Sequence, residues 1–255
     1  MREPIHMASE SHPSYSSMEF FESIVHLGEH LTELTLRMMW RPHQLIRTIL
    51  AALPQLVFLT CEDTHGRVIN DERCPHIPLP ASVQLQHLAC DGAYWALEEL
   101  DFIPSIAPRL RSFQIAMDLQ NLFAYNPLFE NFQQMCPNLQ AFDCSGRCAY
   151  PITKKWFGRF YSQEHHDHSP SGLRFFAVYP QAFNRGSSGI PDWIFQNQGS
   201  LEVLSCGARS QPLVGVADVQ SERFICCKRL TALDIRVGFP AQLGQLHRFL
   251  LSHPS

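Results

Sequence analysis

The hexapeptide LQAFDC, residues 139–144, is one of eight copies of a single pattern in a chain of 255 residues. The pattern reads Leu-x-x-[Leu/Phe]-x-[Leu/Ile/Val/Cys]. Its other copies are LTELTL (31–36), LVFLTC (56–61), LQHLAC (85–90), LRSFQI (110–115), LRFFAV (173–178), LEVLSC (201–206) and LTALDI (230–235). Successive copies start 25 to 34 residues apart. Eight copies in order at near-constant spacing indicate a repeat architecture.

Each copy predicts a short strand, because apolar and polar residues alternate around its fourth position. Residues 43–53 carry an apolar stripe at helical spacing, and residues 241–253 repeat it. Pro54, Pro108 and Pro137 lie two residues ahead of a copy, where they would end such helices. In residues 62–84, three prolines predict a loop in place of a helix: Pro75, Pro78 and Pro80.

Cysteines occupy repeated positions in this pattern. Cys61, Cys90, Cys144 and Cys206 share the sixth position of a copy, where the other copies have aliphatic residues. That exchange predicts a buried apolar slot, which suits a reduced cysteine. No C-x-x-C pair occurs, so a structural zinc site is not expected.

CPNL, residues 136–139, and CKRL, residues 227–230, lead into two of the copies. With these leads, residues 31–255 resemble the leucine-rich repeat array of F-box proteins, whose repeats are cysteine-containing and similar to those of ribonuclease inhibitor. The resemblance implies an α/β solenoid, a horseshoe or arc with parallel strands on its concave face and helices and loops on its convex face. Residues 1–13 are expected to be disordered. Residues 14–255 are expected to form one domain of about eight repeats, with strands near the eight copies.

The strand residues on either side of the fourth position would face away from the core, and the resemblance makes this concave face a binding surface. Phe58 and Phe175 are the aromatic residues of the series, and exposed aromatics are favoured interface anchors. The alternative is that both pack against neighbouring loops. The residues predicted to bind a protein or peptide are Glu33, Phe58, His87, Arg111, Gln114, Asp143, Arg174, Phe175 and Asp234.

The segment QEHHDHS, residues 163–169, is the strongest metal candidate by composition. Only His165 and His168 could share a helix face, and no second ligand cluster accompanies them. A solvated loop, with adventitious metal affinity at Glu164–His168, is therefore expected. Phosphate-binding, zinc-protease and nucleophile-elbow motifs are missing from the sequence, so neither an enzyme nor a cofactor is predicted.

Composition narrows the classes of partner. Hydrophobic residues make up 45% of the chain, charged residues 17%, and the net charge is −4. These values argue against disorder and favour neither nucleic acid nor an anionic membrane as a partner. The first thirty residues have no signal-peptide pattern, and no apolar window is long enough to cross a bilayer. A cytoplasmic or nuclear protein with reduced cysteines is expected.

The resemblance implies a non-enzymatic protein-binding module, similar to the substrate-recognition region of an F-box-type ubiquitin-ligase subunit. The F-box itself is not found in this chain, so a link to a cullin-RING ligase would require an F-box outside it. One alternative is a free-standing leucine-rich repeat scaffold with no ligase link. Another is a metal-binding protein that uses residues 164–168. Pro254 lies where the next copy would be approached, so a truncated array is expected.

Overall fold

The computed structural model describes residues 6–8, 23, 26, 28–73, 78–95, 100–117, 126–144, 172–178, 196–208 and 229–237. A single 3-10 turn spans Gly28–His30. Within the described ranges the strands are β1 (His6–Ala8), β2 (Glu33–His43), β3 (Phe58–Arg73), β4 (His87–Trp95), β5 (Ser112–Met117), β6 (Ala141–Cys144), β7 (Phe175–Val178), β8 (Val203–Ala208) and β9 (Ala232–Val237). The helices whose bounds fall within the described ranges are α1 (Leu45–Ala52), α2 (Ile103–Ile106) and α3 (Asn126–Met135).

The chain forms two compact units, where the sequence pattern predicts one domain over residues 14–255. The first unit contains Met1–Asp118 and Gln134–Pro137, and the second contains Leu119–Gln133 and Asn138–Ser255. In the first unit, β1 to β5 pair side by side in chain order, and every pair is parallel. In the second unit, β6 to β9 do the same. Parallel strands with helical connections define an α/β fold.

Strands β2 to β9 each begin at the third residue of one copy of the sequence pattern. The register therefore sets equivalent positions of successive copies side by side. Fourth-position residues form one row in each unit: Leu34, Leu59, Leu88 and Phe113, then Phe142, Phe176, Leu204 and Leu233. The first seven of these residues are buried, which pins the register because a one-residue slip would expose the whole row.

The predicted cysteine slot is confirmed where the structure describes the side chains. Cys61, Cys90 and Cys144 are all buried, and none of them is in a disulfide. The sixth-position row of the first unit contains Leu36, Cys61, Cys90 and Ile115 in register. Aliphatic and cysteine side chains thus fill equivalent places in one core.

A repeated backbone arrangement accompanies the repeated side chains. The carbonyl oxygen of the second residue of a copy accepts two N–H groups, from the second and third residues of the next copy. Thr32 O, for example, accepts from Val57 N at 2.8 Å and Phe58 N at 3.0 Å. The same arrangement recurs with Val57, Gln86, Gln140, Arg174 and Glu202 as acceptors. Within each unit, every copy after the first therefore enters its sheet with the same hydrogen-bonding pattern.

Helix α1 has the predicted apolar face, since Leu45, Ile46, Ile49, Leu50 and Leu53 are all buried. The N–H of Leu53 donates to Ile49 O at 2.8 Å, and Pro54 follows directly. Arg47 of this helix is partly exposed, and its guanidinium carbon lies 5.6 Å from the centroid of the Phe102 ring. This cation–π contact links α1 to the residue that precedes α2.

Two segments differ from the sequence expectation. Strand β3 continues to Arg73, where prolines predict a loop, because its extension pairs with the extension of β2 through two register shifts. β-branched residues such as Val68 and Ile69 favour that pairing. Residues His6–Ala8, expected to be disordered, pair in parallel with residues 35–37 of β2. The helix predicted near 241–253 lies outside the described residues.

In the part of the chain that the structure describes, no helix is both long and apolar enough to cross a membrane.

Cys136, the first residue of the CPNL lead, lies against the C-terminal end of α2. Its thiol donates to Ala107 O at 3.6 Å, and Pro104 O lies 4.0 Å away. These carbonyls belong to the last turn of a helix, where no intrahelical N–H is available to them. Burial raises the pKa of the Cys136 thiol from 9.0 to about 12.

This raised pKa predicts a loss of stability in alkali. The neutral thiol stabilises the native state fully below pH 9.0, and that contribution disappears as the pH rises toward about 12. Between these values the unfolded chain has lost a proton that the folded chain keeps, so the unfolding free energy falls by about 1.4 kcal/mol per pH unit. Cys136→Ser keeps a hydrogen-bond donor that does not ionise in this range. Urea unfolding at several pH values should give a shallower slope for Cys136→Ser than for wild type, and equal slopes would contradict the assignment.

Candidate binding face

The strands of the first unit present two rows of side chains on the face opposite the fourth-position core, because alternate residues of a strand point to opposite faces. The third-position row is Glu33, Phe58, His87 and Ser112. The fifth-position row is Thr35, Thr60, Ala89 and Gln114. The register thus places the predicted residues Glu33, Phe58 and His87 on three neighbouring strands.

The accessible residues on this side of the sheet are Glu33, Phe58, Thr35, Thr60, Ala89 and Gln114, and we call them the first-unit face. Glu33 is exposed, and the other five are partly exposed. Three of the four side chains in the fifth-position row are small, so most of this row projects little above the backbone of the sheet. Its hydroxyl and amide groups can both donate and accept hydrogen bonds. The sequence pattern contained Thr35, Thr60 and Ala89, but small residues gave no signal to select them.

His87 supports this face from below. Its ring stacks on that of Phe58, with centroids 4.2 Å apart and planes 16° apart, and its Nδ1 lies 2.8 Å from Ser112 Oγ. The histidine is only 3% exposed, so the expectation that its side chain is accessible on this face is wrong. It is covered because an aromatic ring and a hydroxyl occupy the register positions on either side. The stacked imidazole holds the Phe58 ring in place.

An ion pair borders the face at the seventh position of the copies. Arg37 Nε lies 2.8 Å from Glu62 Oε2, and the two side chains are 58% and 39% exposed. Exposed pairs of this kind contribute little to stability, so both groups can turn toward a ligand at small cost. Both residues come directly after a copy of the six-residue pattern, so the pattern did not select them.

In strands β6 to β8 of the second unit the equivalent side chains are buried. Phe175 is 0% exposed and Asp143 is 2% exposed, so the expectation that their side chains are exposed is wrong. Phe175 is flanked in register by Ala141 and Val203, which are themselves 0% and 2% exposed, so the whole third-position row is buried here. Asp234 is the register partner of Ser205 in the sheet, and its side chain is not among those that the structure describes.

The two predicted arginines have different surroundings. Arg174 makes a bidentate ion pair with Glu202: Nε donates to Oε1 at 2.9 Å and Nη2 to Oε2 at 3.1 Å. Their side chains are mostly buried, so this pair links β7 to β8 and is not displayed to a partner. Arg111 is partly exposed and lies directly before β5, beside the first-unit face.

The groups on the first-unit face are hydroxyl, amide, carboxylate and aromatic, which bind ligands by hydrogen bonds and apolar contact. Among the residues with a described structure, no three His, Cys, Asp or Glu side chains are grouped around a possible metal position. The His-rich segment 163–169 lies outside those residues. No protein-family model, curated protein or solved structure matches the chain.

Proposed function

We propose that the chain is a leucine-rich repeat solenoid that acts as a non-enzymatic module and binds a protein or peptide on its first-unit face. The repeat assignment is supported by the in-register stacking of equivalent positions in successive copies. The binding assignment rests on one observation: the fifth-position row is partly exposed along four neighbouring strands, while the opposite side of the same strands is core.

The chemistry of the face fits an extended peptide or a protein loop. The Thr35 and Thr60 hydroxyls and the Gln114 amide can exchange hydrogen bonds with backbone groups of a ligand. Phe58 supplies an aromatic anchor whose ring is already fixed by His87, so little side-chain entropy is lost on binding. Strands β6 to β8 of the second unit offer no equivalent, since the side chains at their third and fifth positions are buried.

The ligase link is a further part of this proposal. It rests on the resemblance of the CPNL and CKRL leads to the repeats of F-box proteins. In such a subunit this chain would recognise the substrate, and an F-box outside it would bind the ligase. An F-box in the reading frame upstream of Met1 would support the link. A native protein whose mapped N-terminus is Met1 would contradict it and leave the free-standing scaffold.

Thr60→Arg is expected to abolish ligand binding without unfolding the protein. Thr60 lies in the middle of the fifth-position row. An arginine there would project beyond the small neighbouring side chains and would place a positive charge on the face. A random-peptide display library panned on the wild-type chain supplies the ligand. Affinity for the selected peptides should fall at least tenfold in the variant, which corresponds to about 1.4 kcal/mol.

Ser82→Arg is the matched control, because Ser82 is exposed in the connection between β3 and β4 and is not part of a strand. It adds the same charge and bulk away from the face and should keep wild-type affinity. Peptides that bind Thr60→Arg as tightly as wild type, or a library that yields no binder, would overturn the proposed site. Both variants should retain the wild-type unfolding midpoint.

A further inference from the structure

Opposite charges border the two ends of the first-unit face. Among the described side chains of β2 to β5 and of the two residues before each strand, the Asp, Glu, Lys and Arg residues are Glu33, Arg37, Glu62 and Arg111. Arg37 and Glu62 form an ion pair with each other, so together they add no net charge. Glu33 is exposed at the start of β2, and Arg111 is partly exposed directly before β5. The face therefore has an acidic end and a basic end.

Two stacked rings lie between these ends. The register sets Glu33, Phe58, His87 and Ser112 side by side on four successive strands, and Arg111 is the residue next to Ser112. The rings of Phe58 and His87 stack on the two middle strands, and Phe58 is partly exposed. The order of chemical groups across the sheet is thus carboxylate, aromatic surface and guanidinium.

The distance between the two ends matches a short extended peptide. Neighbouring strands lie about 4.8 Å apart, so β2 and β5 are separated by about 14 Å across the sheet. An extended chain rises about 3.4 Å per residue, so residues i and i+4 of a ligand span nearly the same distance. Residues i, i+2 and i+4 point to the same side of an extended chain. A ligand that crosses the strands therefore presents these three side chains to the face together.

We propose that the first-unit face selects an extended peptide segment with side chains of opposite charge at i and i+4 and an apolar side chain at i+2. This selectivity rests on the proposed binding function of the face. The basic side chain binds at Glu33, and the acidic side chain binds at Arg111. The apolar side chain packs at the stacked rings of Phe58 and His87, which lie midway between the two ends.

Charge sets which segments bind, because a like charge at either end of the face is repelled. A guanidinium has five N–H donors, so Arg111 can bind a carboxylate of the ligand and keep contacts within the chain. The two orders of charge in the ligand are equivalent, because an extended peptide can cross the strands in either direction.

The test pans the full chain with three peptide display libraries that are random except at i and i+4. These positions are Lys and Glu, in either order, in the first library, Lys and Lys in the second, and Glu and Glu in the third. The first library should give binders with an apolar residue at i+2. Their affinity should be at least threefold higher than that of any binder from the other two libraries, since exposed ion pairs are weak.

Charge reversal in the protein identifies the two ends. Glu33→Lys and Arg111→Glu should each weaken binding of the selected peptides about threefold to tenfold, because an exposed ion pair becomes a repulsion. For Glu33→Lys, replacing the lysine of the peptide by glutamate should restore the affinity, which loss of structure would not allow. Asp101→Lys is the matched control. It reverses an exposed charge in the turn before α2, outside the strands, and should leave the affinity unchanged.

The outcomes separate this selectivity from the binding function itself. Binders that lose affinity for Thr60→Arg but lack the charge pattern would overturn the selectivity and leave the face as the binding site. Charge-patterned binders that bind Thr60→Arg as tightly as wild type, or libraries that yield no binder, would overturn both. A matched peptide that does not restore affinity for Glu33→Lys would also overturn the selectivity. If Arg111→Glu fails to fold, Glu33→Lys and its matched peptide decide the outcome.

Discussion

Replacing Phe142 by alanine is expected to lower the free energy of unfolding by about 3–5 kcal/mol. Phe142 is buried in the fourth-position row of the second unit. Its ring lies edge-on to Phe132 of α3, with centroids 5.5 Å apart, and stacks on Phe176 of β7 at 6.0 Å. Truncation removes both aromatic contacts and leaves a cavity between a helix and two strands, which close-packed neighbours cannot fill.

Urea unfolding measured by circular dichroism gives the change in free energy, and Phe58→Ala is the matched control. Phe58 is partly exposed on the opposite side of its sheet, so its truncation should cost clearly less than that of Phe142. Amide exchange should locate the Phe142 effect in β6, β7 and α3. A Phe142→Ala loss below about 1 kcal/mol, or one no larger than for Phe58→Ala, would contradict the role of this ring in the core.

The core could be predicted from the sequence because one pattern carries the information eight times. A leucine or phenylalanine at the fourth position of every copy requires a buried row, and the register of the strands follows from it. The apolar stripe of α1 was predictable for the same reason, since Ile46, Ile49 and Leu50 repeat at helical spacing. Both predictions depend only on local periodicity.

The exposure of the opposite face could not be predicted, because it depends on contacts in the folded chain that the local pattern does not contain. Phe58 and Phe175 occupy the same third position of their copies. Phe58 has the exposed Glu33 on one side and is partly accessible, whereas Phe175 lies between Ala141 and Val203 and is buried. Identical pattern positions thus differ in exposure, and only the assembled sheet separates them.

The length of β3 illustrates a second limit. Prolines at 75, 78 and 80 correctly exclude a helix after the second copy, but they do not determine where the strand ends. That depends on the extension of β2, which pairs with β3 as far as Arg73. The strand propensity of a segment depends on pairing with a partner strand, so propensity alone is a weak predictor of where a strand ends.

Gly172→Ala is the second substitution expected to have a large effect, with a loss of about 2–4 kcal/mol. Gly172 has a φ of 109°, where side chains are strained by about 1–3 kcal/mol. An added Cβ would lie 2.8 Å from Ser200 Oγ. That hydroxyl donates to Leu173 O at 2.8 Å, so the clash would also weaken a buried hydrogen bond worth about 1 kcal/mol. Urea unfolding measures the loss.

Gly199→Ala provides the control, because no atom lies within 4 Å of its added Cβ. It should change stability by no more than about 0.5 kcal/mol. Ser200→Ala then separates the two causes at Gly172. If the steric contact contributes, the double variant Gly172→Ala with Ser200→Ala should lose less than the sum of the single losses, because the hydroxyl that clashes is gone. Strictly additive losses would assign the whole effect to the backbone conformation of Gly172, and a Gly172→Ala loss equal to that of Gly199→Ala would contradict both causes.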